Sequence, residues 1–144
     1  MKQTAKNLQA VIDDFLCTKA HLINWDSEPP AGKWTNKEII GHLIDSAHIN
    51  LQRFVRCTYE EGFKLIYFQN EWVQAQHYRH ADIAEILKLW ELVNRQIVRV
   101  LQNYPPGRTK VKCDNGRYQP SFNTVSFLAD DYIAHMQHHL KQLV

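Results

Sequence analysis

Cysteine is scarce in this sequence, and the features that mark secreted and membrane proteins are absent. The 144 residues include three cysteines, Cys17, Cys57 and Cys113, and no two of them form a CxxC pair. An odd number of widely spaced cysteines favours neither a disulfide framework nor a zinc ribbon. No signal peptide and no apolar run of about 18 residues is present, so we expect a cytoplasmic protein without a membrane span.

Neither positive nor negative charge is in large excess. The 17 basic and 15 acidic residues leave a net charge of +2, and the basic residues are scattered along the chain. Nucleic-acid-binding surfaces are concentrated basic patches or stripes, so we expect no nucleic-acid partner. The catalytic patterns HExxH, GxSxG and the P-loop are missing, and so is the ExxH pair of di-iron bundles. Any active site must therefore be sought outside those motifs.

Apolar residues are plentiful enough to build a core. Hydrophobic residues make up 44% of the chain and charged residues 22%, which is typical of a globular protein, and the length suits one domain over residues 1–144. Apolar side chains recur at spacings of three and four in four segments, at about 2–24, 36–59, 83–104 and 123–144. With almost no strand signal, this pattern predicts an all-α protein with a four-helix bundle.

Two of the predicted helices carry clear start signals. Thr35 and Glu38 form a capping box, in which each side chain satisfies a main-chain amide of the other residue. Asp82 and Glu85 have the same spacing before the third long helix. These pairs predict where the second and third long helices begin.

The connections between helices are less regular. Residues 60–80 show no period, apart from a short helical turn expected at 71–76. Asn115-Gly116 is typical of a tight β-turn and predicts a small hairpin between residues 110–112 and 117–118.

Histidine is the residue type that stands out, with eight in the chain. Three of them, His135, His138 and His139, fall in a single five-residue stretch inside the last predicted helix. His135 and His139 are four apart and share the apolar seam of that helix, whereas His138 is one step off it. Buried imidazoles need hydrogen-bond partners or a metal, so two interpretations are open: structural core histidines, or ligands for zinc, nickel or iron(II).

A metal site would need a third ligand from another helix. The remaining histidines are His21, His42, His48, His77 and His80. His77 and His80 lie in the irregular stretch and are expected to be exposed. His42 falls roughly 150° from the centre of the apolar arc of its helix, which disfavours it, but Ile49 lies on the same side. The helical wheel therefore leaves the third ligand undecided.

Two carboxylates lie within one turn of these histidines. Asp45 follows His42 on the second helix, and Asp131 precedes His135 on the last. Either could orient an imidazole from behind, as carboxylates do around metal sites. The alternative for each is an ordinary solvated carboxylate on a helix surface.

Two segments resemble a known family. The stretch from Trp34 to Asp45 resembles the W-[ST]-x-x-E-x-x-x-H-L segment of the DinB/YfiT-like superfamily. The stretch from Asp131 to Gln142 is similar to the closing H-x-x-H-H-x-x-Q segment of that family. The likeness spans nearly the whole chain, although only these two segments are specific.

The resemblance implies more than the residues alone. It implies a four-helix bundle, commonly a homodimer, and a divalent metal ion held by His42, His135 and His139. The metal in this family is typically zinc, nickel or iron, and some members are transferases or isomerases that use low-molecular-weight thiols. We therefore expect a metal-dependent enzyme that activates a thiolate or water toward a small-molecule substrate. The alternative is a non-catalytic dimeric scaffold or binding protein with structural histidines.

Overall fold

The computed structural model describes residues 1–143, which form five α-helices and a small antiparallel sheet. The helices are α1 (Lys2–Asp14), α2 (Asn36–Arg56), α3 (Gln69–Gln76), α4 (Ile83–Gln102) and α5 (Val125–Leu140). The strands are β1 (Lys112–Asp114) and β2 (Phe122–Thr124). No helix in this part of the chain is both long and apolar enough to cross a membrane.

The four longer helices form a bundle. Helix α2 packs against α4 and α5, and α1 packs against the same two helices, while the short α3 lies against α2. Phe15 and Trp90 meet edge to face in the core, with ring centroids 5.2 Å apart. The prediction of an all-α four-helix bundle is confirmed. The single domain predicted for residues 1–144 stays a prediction, and Val144 lies outside the described residues.

Helix α2 begins where the capping box predicted. The Thr35 hydroxyl accepts the amide proton of Glu38 at 3.2 Å, and the Glu38 carboxylate accepts the amide proton of Thr35 at 2.7 Å. Asp82 caps α4 through the amide of Glu85 at 3.1 Å. The cap on α2 matters for function because it sets the first turn of the helix that carries His42.

The first predicted helix changes pitch part-way. After α1 the chain makes a π-helical turn over Phe15–Lys19 and then a 3₁₀ turn over Ala20–Leu22. The Thr18 hydroxyl donates to the main-chain carbonyl of Asp14 at 2.7 Å. Back-bonding of this kind often bends helices, and here it spans the start of the wider turn. Apolar spacing alone does not predict such a change.

The predicted hairpin around Asn115-Gly116 is wrong in its register. Strand β1 pairs with β2, with Lys112 opposite Thr124, instead of with residues 117–118. The connection between the strands therefore runs over residues 115–121. The pairing brings the chain directly into α5, because Thr124 ends β2 and also caps that helix through the amide of Phe127.

An aspartate at the end of β1 explains the longer connection. The Asp114 carboxylate accepts amide protons from Gly116 at 2.9 Å and from Ser121 at 2.8 Å. The Asp114 side chain thereby holds the two ends of a longer loop together, and no two-residue turn forms at this point. A Cβ atom at position 116 would overlap the main-chain carbonyl of Gln119, so the close approach requires glycine.

Helix α5 ends at Leu140, short of the chain end. The last helix was predicted to run to Val144, which lies outside the described residues. Lys141 and Gln142 form a turn at the end of α5. This turn directs the Gln142 side chain back toward the histidines of the helix.

Candidate metal centre

His42 lies on the second turn of α2 and is fully buried. It faces away from the main apolar arc of that helix, yet other parts of the chain cover it. The Trp34 ring lies 5.0 Å from the His42 ring, and the Tyr67 ring stacks on it at 5.8 Å. The helical-wheel argument against His42 fails because α2 is enclosed on two sides.

The structure brings His42 together with the histidine pair of α5. The Nε2 atoms of His42 and His135 are 3.2 Å apart. The ring centroid of His139 lies 4.7 Å from that of His42 and 4.6 Å from that of His135. One ring nitrogen from each of the three histidines lies within 4.8 Å of the others. The two histidines of α5 are half-buried, so the cluster sits at the edge of the core.

The donor set suits a divalent transition metal. Two nitrogens that each lie about 2.1 Å from a tetrahedral zinc ion are roughly 3.4 Å apart. The measured 3.2 Å between the His42 and His135 Nε2 atoms is close to that spacing. Imidazole nitrogen is a good ligand for zinc, nickel and iron(II) alike. Three converging imidazoles therefore fit such an ion and leave room for further ligands.

The hydrogen bonds of Tyr67 favour one tautomer of His42. The Tyr67 hydroxyl lies 2.9 Å from His42 Nδ1 and 3.4 Å from the main-chain carbonyl of His42. Both contacts are satisfied when the hydroxyl donates to the carbonyl and accepts from Nδ1. With the proton on Nδ1, the Nε2 lone pair of His42 faces the centre. Tyr67 acts as an orienting partner for the imidazole.

Gln142 has the corresponding role for His139. Its Oε1 atom can only accept, and it lies 2.8 Å from His139 Nδ1, which therefore carries the proton. Nε2 of His139 is left free as a ligand atom. The Gln142 amide nitrogen donates to His138 Nε2 at 3.0 Å, which holds the glutamine in this orientation. The last glutamine of the H-x-x-H-H-x-x-Q segment thus has a physical reason to be there.

The electrostatics keep the three rings neutral. Burial is the main cause that lowers the pKa of His42 to about 3, and the neighbouring His135 and His139 contribute to this lowering. Burial also lowers the pKa of His135 to about 4, and it lowers the pKa of His139. A neutral imidazole is the form that binds metal. At neutral pH all three rings are ready to act as ligands.

The other histidines do not join this cluster among the described residues. His48 lies half-buried on α2, and burial lowers its pKa. His77 and His80 are exposed, as predicted. His21 and His138 are exposed too, and His138 contributes through its contact with Gln142.

The two carboxylates differ from one another. Asp45 is fully buried, so the alternative of a solvated carboxylate is wrong for it. It accepts hydrogen bonds from the Tyr78 hydroxyl at 2.6 Å and from the Gln76 amide at 3.4 Å, and burial raises its pKa to about 6. Asp45 therefore anchors the segment after α3 onto α2. Asp131 is exposed and lies on the rim of a cavity that reaches His135, where its charge offsets part of the lowering that burial causes in the pKa of that histidine.

The chain matches a known protein family. The sequence profile of the DinB superfamily matches residues 2–143. The chain belongs to the DinB superfamily. No curated protein sequence matches it.

A solved structure shares the fold of this DinB-superfamily chain. It is that of YfiT from Bacillus subtilis, described as a probable metal-dependent hydrolase with an unusual four-helix bundle topology. The TM-score is 0.79 at 19% identity, over 99% of this chain and 81% of that chain. At this identity the similarity shows the fold.

Proposed function

We propose that this DinB-superfamily chain is a metal-dependent enzyme in which His42, His135 and His139 hold one divalent ion. One observation carries the proposal: a ring nitrogen from each histidine lies within 4.8 Å of the others. Zinc and nickel are the ions we favour, and iron(II) suits the same nitrogen donors. The tautomers assigned through Tyr67 and Gln142 support this role, since both leave Nε2 free to bind.

The reaction depends on what binds beside the histidines. A divalent ion held there would lower the pKa of a bound water or thiol and so supply a nucleophile near neutral pH. Water would give a hydrolase, which is the activity in the description of YfiT. A thiol would give a transferase that uses a low-molecular-weight thiol, and the family resemblance supports that choice.

The residues around the site define where a substrate would enter. The rings of Trp34 and Tyr67 both lie against the ring of His42. A cavity of about 220 Å³ reaches His42 and His135 from the side of α2 and α5. Pockets for drug-sized ligands measure about 300–1,000 Å³, so this space suits a small molecule.

Metal analysis of the purified protein tests the site. We expect one equivalent of zinc or nickel per chain after reconstitution, and less than a tenth of that in His139→Ala. The matched control is His80→Ala, which removes an exposed histidine outside the cluster and should keep the full equivalent. Circular dichroism should show that both variants fold. A wild-type protein that holds no metal would contradict the proposal and leave the non-catalytic scaffold as the function.

An activity screen separates the two nucleophiles. The zinc-loaded protein would be assayed for transfer of low-molecular-weight thiols to electrophiles and for hydrolysis of small esters and amides. Activity that disappears in His139→Ala and on chelation identifies the reaction class. A metal-loaded protein that is inactive in both assays would favour the scaffold.

The assembly is part of the same proposal. The family resemblance implies a homodimer, so light scattering should give twice the 17.0 kDa of one chain. A monomer at working concentrations would contradict this point without affecting the metal site.

A further inference from the structure

A stripe of buried polar side chains runs along α2 away from the three histidines. His42, Ser46, Asn50 and Arg53 are spaced four, four and three residues apart, which places them on one face of the helix. All four are buried, and all four line the cavity of about 220 Å³ that reaches His135. Polar residues usually avoid such a position. The stripe therefore indicates that this cavity is built for a polar ligand.

Arg53 is the residue of the stripe that lacks a full set of partners. It is 7% exposed. One terminal nitrogen donates to the Asn50 side chain at 3.3 Å and the other to the Leu65 carbonyl at 2.8 Å. Its Nε atom is buried and has no hydrogen-bond partner within residues 1–143. A guanidinium has five N–H donors in a planar fork, so most of its donor capacity is unused.

Arg53 also lacks a direct ion pair. Two half-exposed arginines have carboxylate partners, Arg56 with Glu60 at 2.8 Å and Arg95 with Asp13 at 2.9 Å. A third, Arg108, donates to the main-chain carbonyls of Cys57 and Glu60. Among residues 1–143, no ion pair involves Arg53. Burial lowers the pKa of Arg53, and the charge of Asp131 on the rim of the same cavity offsets part of this lowering. A guanidinium stays protonated at neutral pH. A buried cation without a direct ion pair is costly to the fold, and a bound anion would offset this cost.

The surroundings of Arg53 point to a carboxylate. The Asn50 side chain holds the guanidinium in place, and Asn50 is itself fixed by donating to the Ser46 carbonyl at 2.9 Å. A side chain on a helix leans toward the helix N-terminus, so the guanidinium is directed toward His42. Arg117 stands on the rim of the same cavity, so its two arginines outnumber its one carboxylate, Asp131. A planar carboxylate matches a fixed guanidinium edge in shape and charge.

We infer that the cavity takes a small carboxylate-bearing substrate, that Arg53 binds its carboxylate, and that its reacting end faces His42 and His135. The role of the ligand as a substrate rests on the proposed function. Anion binding by Arg53 does not, because it needs no metal ion. Arg53 is on this assignment a residue that determines specificity.

Nuclear magnetic resonance tests the inference directly on the wild-type protein. The side-chain Nε–H signal of Arg53 would be followed while metal-free, ¹⁵N-labelled protein is titrated with butyrate or with butyramide, its neutral counterpart. We expect a saturable shift with butyrate, at a concentration about tenfold or more below that needed for butyramide, because bonds between charged partners are the stronger ones. No shift, or equal shifts with both compounds, would overturn the inference.

Variants assign the binding to this side chain. Arg53→Gln should abolish the shifts that butyrate causes in amides lining the cavity, whereas Arg56→Gln, which removes the neighbouring paired arginine, should retain them. If Arg53→Gln does not fold, the wild-type titration still decides the matter.

The same titration with zinc-loaded protein separates the two proposals. Butyrate binding in a protein that never takes up zinc would remove the proposed function and keep the carboxylate site. Zinc uptake without any response at Arg53 would do the reverse.

Discussion

At the scale of single residues, the Tyr67 hydroxyl decides which nitrogen of His42 faces the centre. Removing it in Tyr67→Phe keeps the ring that stacks on His42 but deletes the acceptor for Nδ1–H. The imidazole is then free to take the other tautomer or to rotate. Loss of such an orienting partner typically lowers metal affinity about 10–100-fold. Competition with a chromophoric zinc chelator measures the change.

The control for this variant is another tyrosine. Tyr59 is 70% exposed and follows the C-terminal end of α2, whereas His42 lies on the second turn from the N-terminal end of that helix. Tyr59→Phe should leave zinc affinity within about twofold, as surface substitutions usually do. Equal affinities in both variants and the wild type would show that Tyr67 does not orient His42.

The lowered pKa values make stability depend on pH in a definite direction. His42 and His135 have folded pKa values of about 3 and about 4, below the 6.5 of an unfolded histidine. Between these values the unfolded chain binds protons that the native protein does not. The stability present above pH 6.5 is therefore lost as the pH falls toward 4. We expect the Tm of the metal-free protein to drop between about pH 7 and pH 5.

One buried carboxylate contributes a pH dependence of the opposite sign. Asp45 has a folded pKa of about 6 against 3.8 in the unfolded chain, so its contribution to stability grows as the pH falls through 6. Asp45 is one group, and the combined effect of the two most strongly shifted histidines on stability should outweigh its effect.

His135→Gln should flatten the pH dependence of Tm, while His80→Ala should leave it unchanged. A slope that survives in His135→Gln would assign the effect to other groups.

Residues differ in how far the sequence could predict them. The pairing of His135 with His139 follows from helical geometry, because both lie four apart on an apolar seam. His42 came only from the family resemblance, since the wheel cannot show that Trp34 and Tyr67 cover its side of α2. Tyr67 lies in a stretch without periodicity, and no pattern in the sequence marks it. Contacts made by irregular segments depend on the tertiary fold and leave no local signal.

At the scale of elements, a glycine lets the segment after α3 dock onto α2. A Cβ atom at Gly41 would overlap the ring of Tyr78, which is buried and donates to Asp45. Alanine is favoured over glycine in a helix by about 1 kcal/mol, so Gly41→Ala would stabilise an isolated α2. The overlap in the folded protein should outweigh this gain and lower the free energy of unfolding by about 1–3 kcal/mol. Urea denaturation measures it.

A second glycine provides the comparison. A Cβ atom at Gly107 meets open space, so Gly107→Ala should change the free energy of unfolding by less than about 0.5 kcal/mol. Because Tyr78 would be displaced in Gly41→Ala, its hydrogen bond to Asp45 should be lost as well. A Gly41→Ala protein as stable as the wild type would mean that the ring moves aside without cost.

Elements were predictable where their signals are local. The start of α2 was predictable, because Thr35 and Glu38 satisfy each other's amides within one turn. The hairpin was not, because Asn115-Gly116 has the composition of a tight turn while Asp114 closes a longer loop through Ser121. That hydrogen bond joins residues seven apart, which a dipeptide rule cannot anticipate. The π-helical turn after α1 was not predictable, because apolar spacing does not distinguish a π-helical turn from an α-helical one.

At the scale of the whole molecule, the proposed ion would link two helices of the bundle. His42 comes from α2 and the other two histidines from α5, and these helices pack against each other. The complete site therefore exists only in the folded protein, and zinc should stabilise that state. At a free zinc concentration 100 times the Kd the gain is about 2.7 kcal/mol. For 144 residues this corresponds to a rise in Tm of about 5–10 °C.

The link between helices predicts how each variant should respond to zinc. In His42→Ala the two remaining ligands lie one turn apart on α5 and are available without α2, so zinc should raise Tm by less than about 2 °C. His48→Ala removes a half-buried histidine of the same helix outside the cluster and should keep the full rise. Differential scanning calorimetry with and without zinc measures all three proteins. An equal rise in His42→Ala and the wild type would show that zinc binds without joining α2 to α5, and the shared site would have to be abandoned.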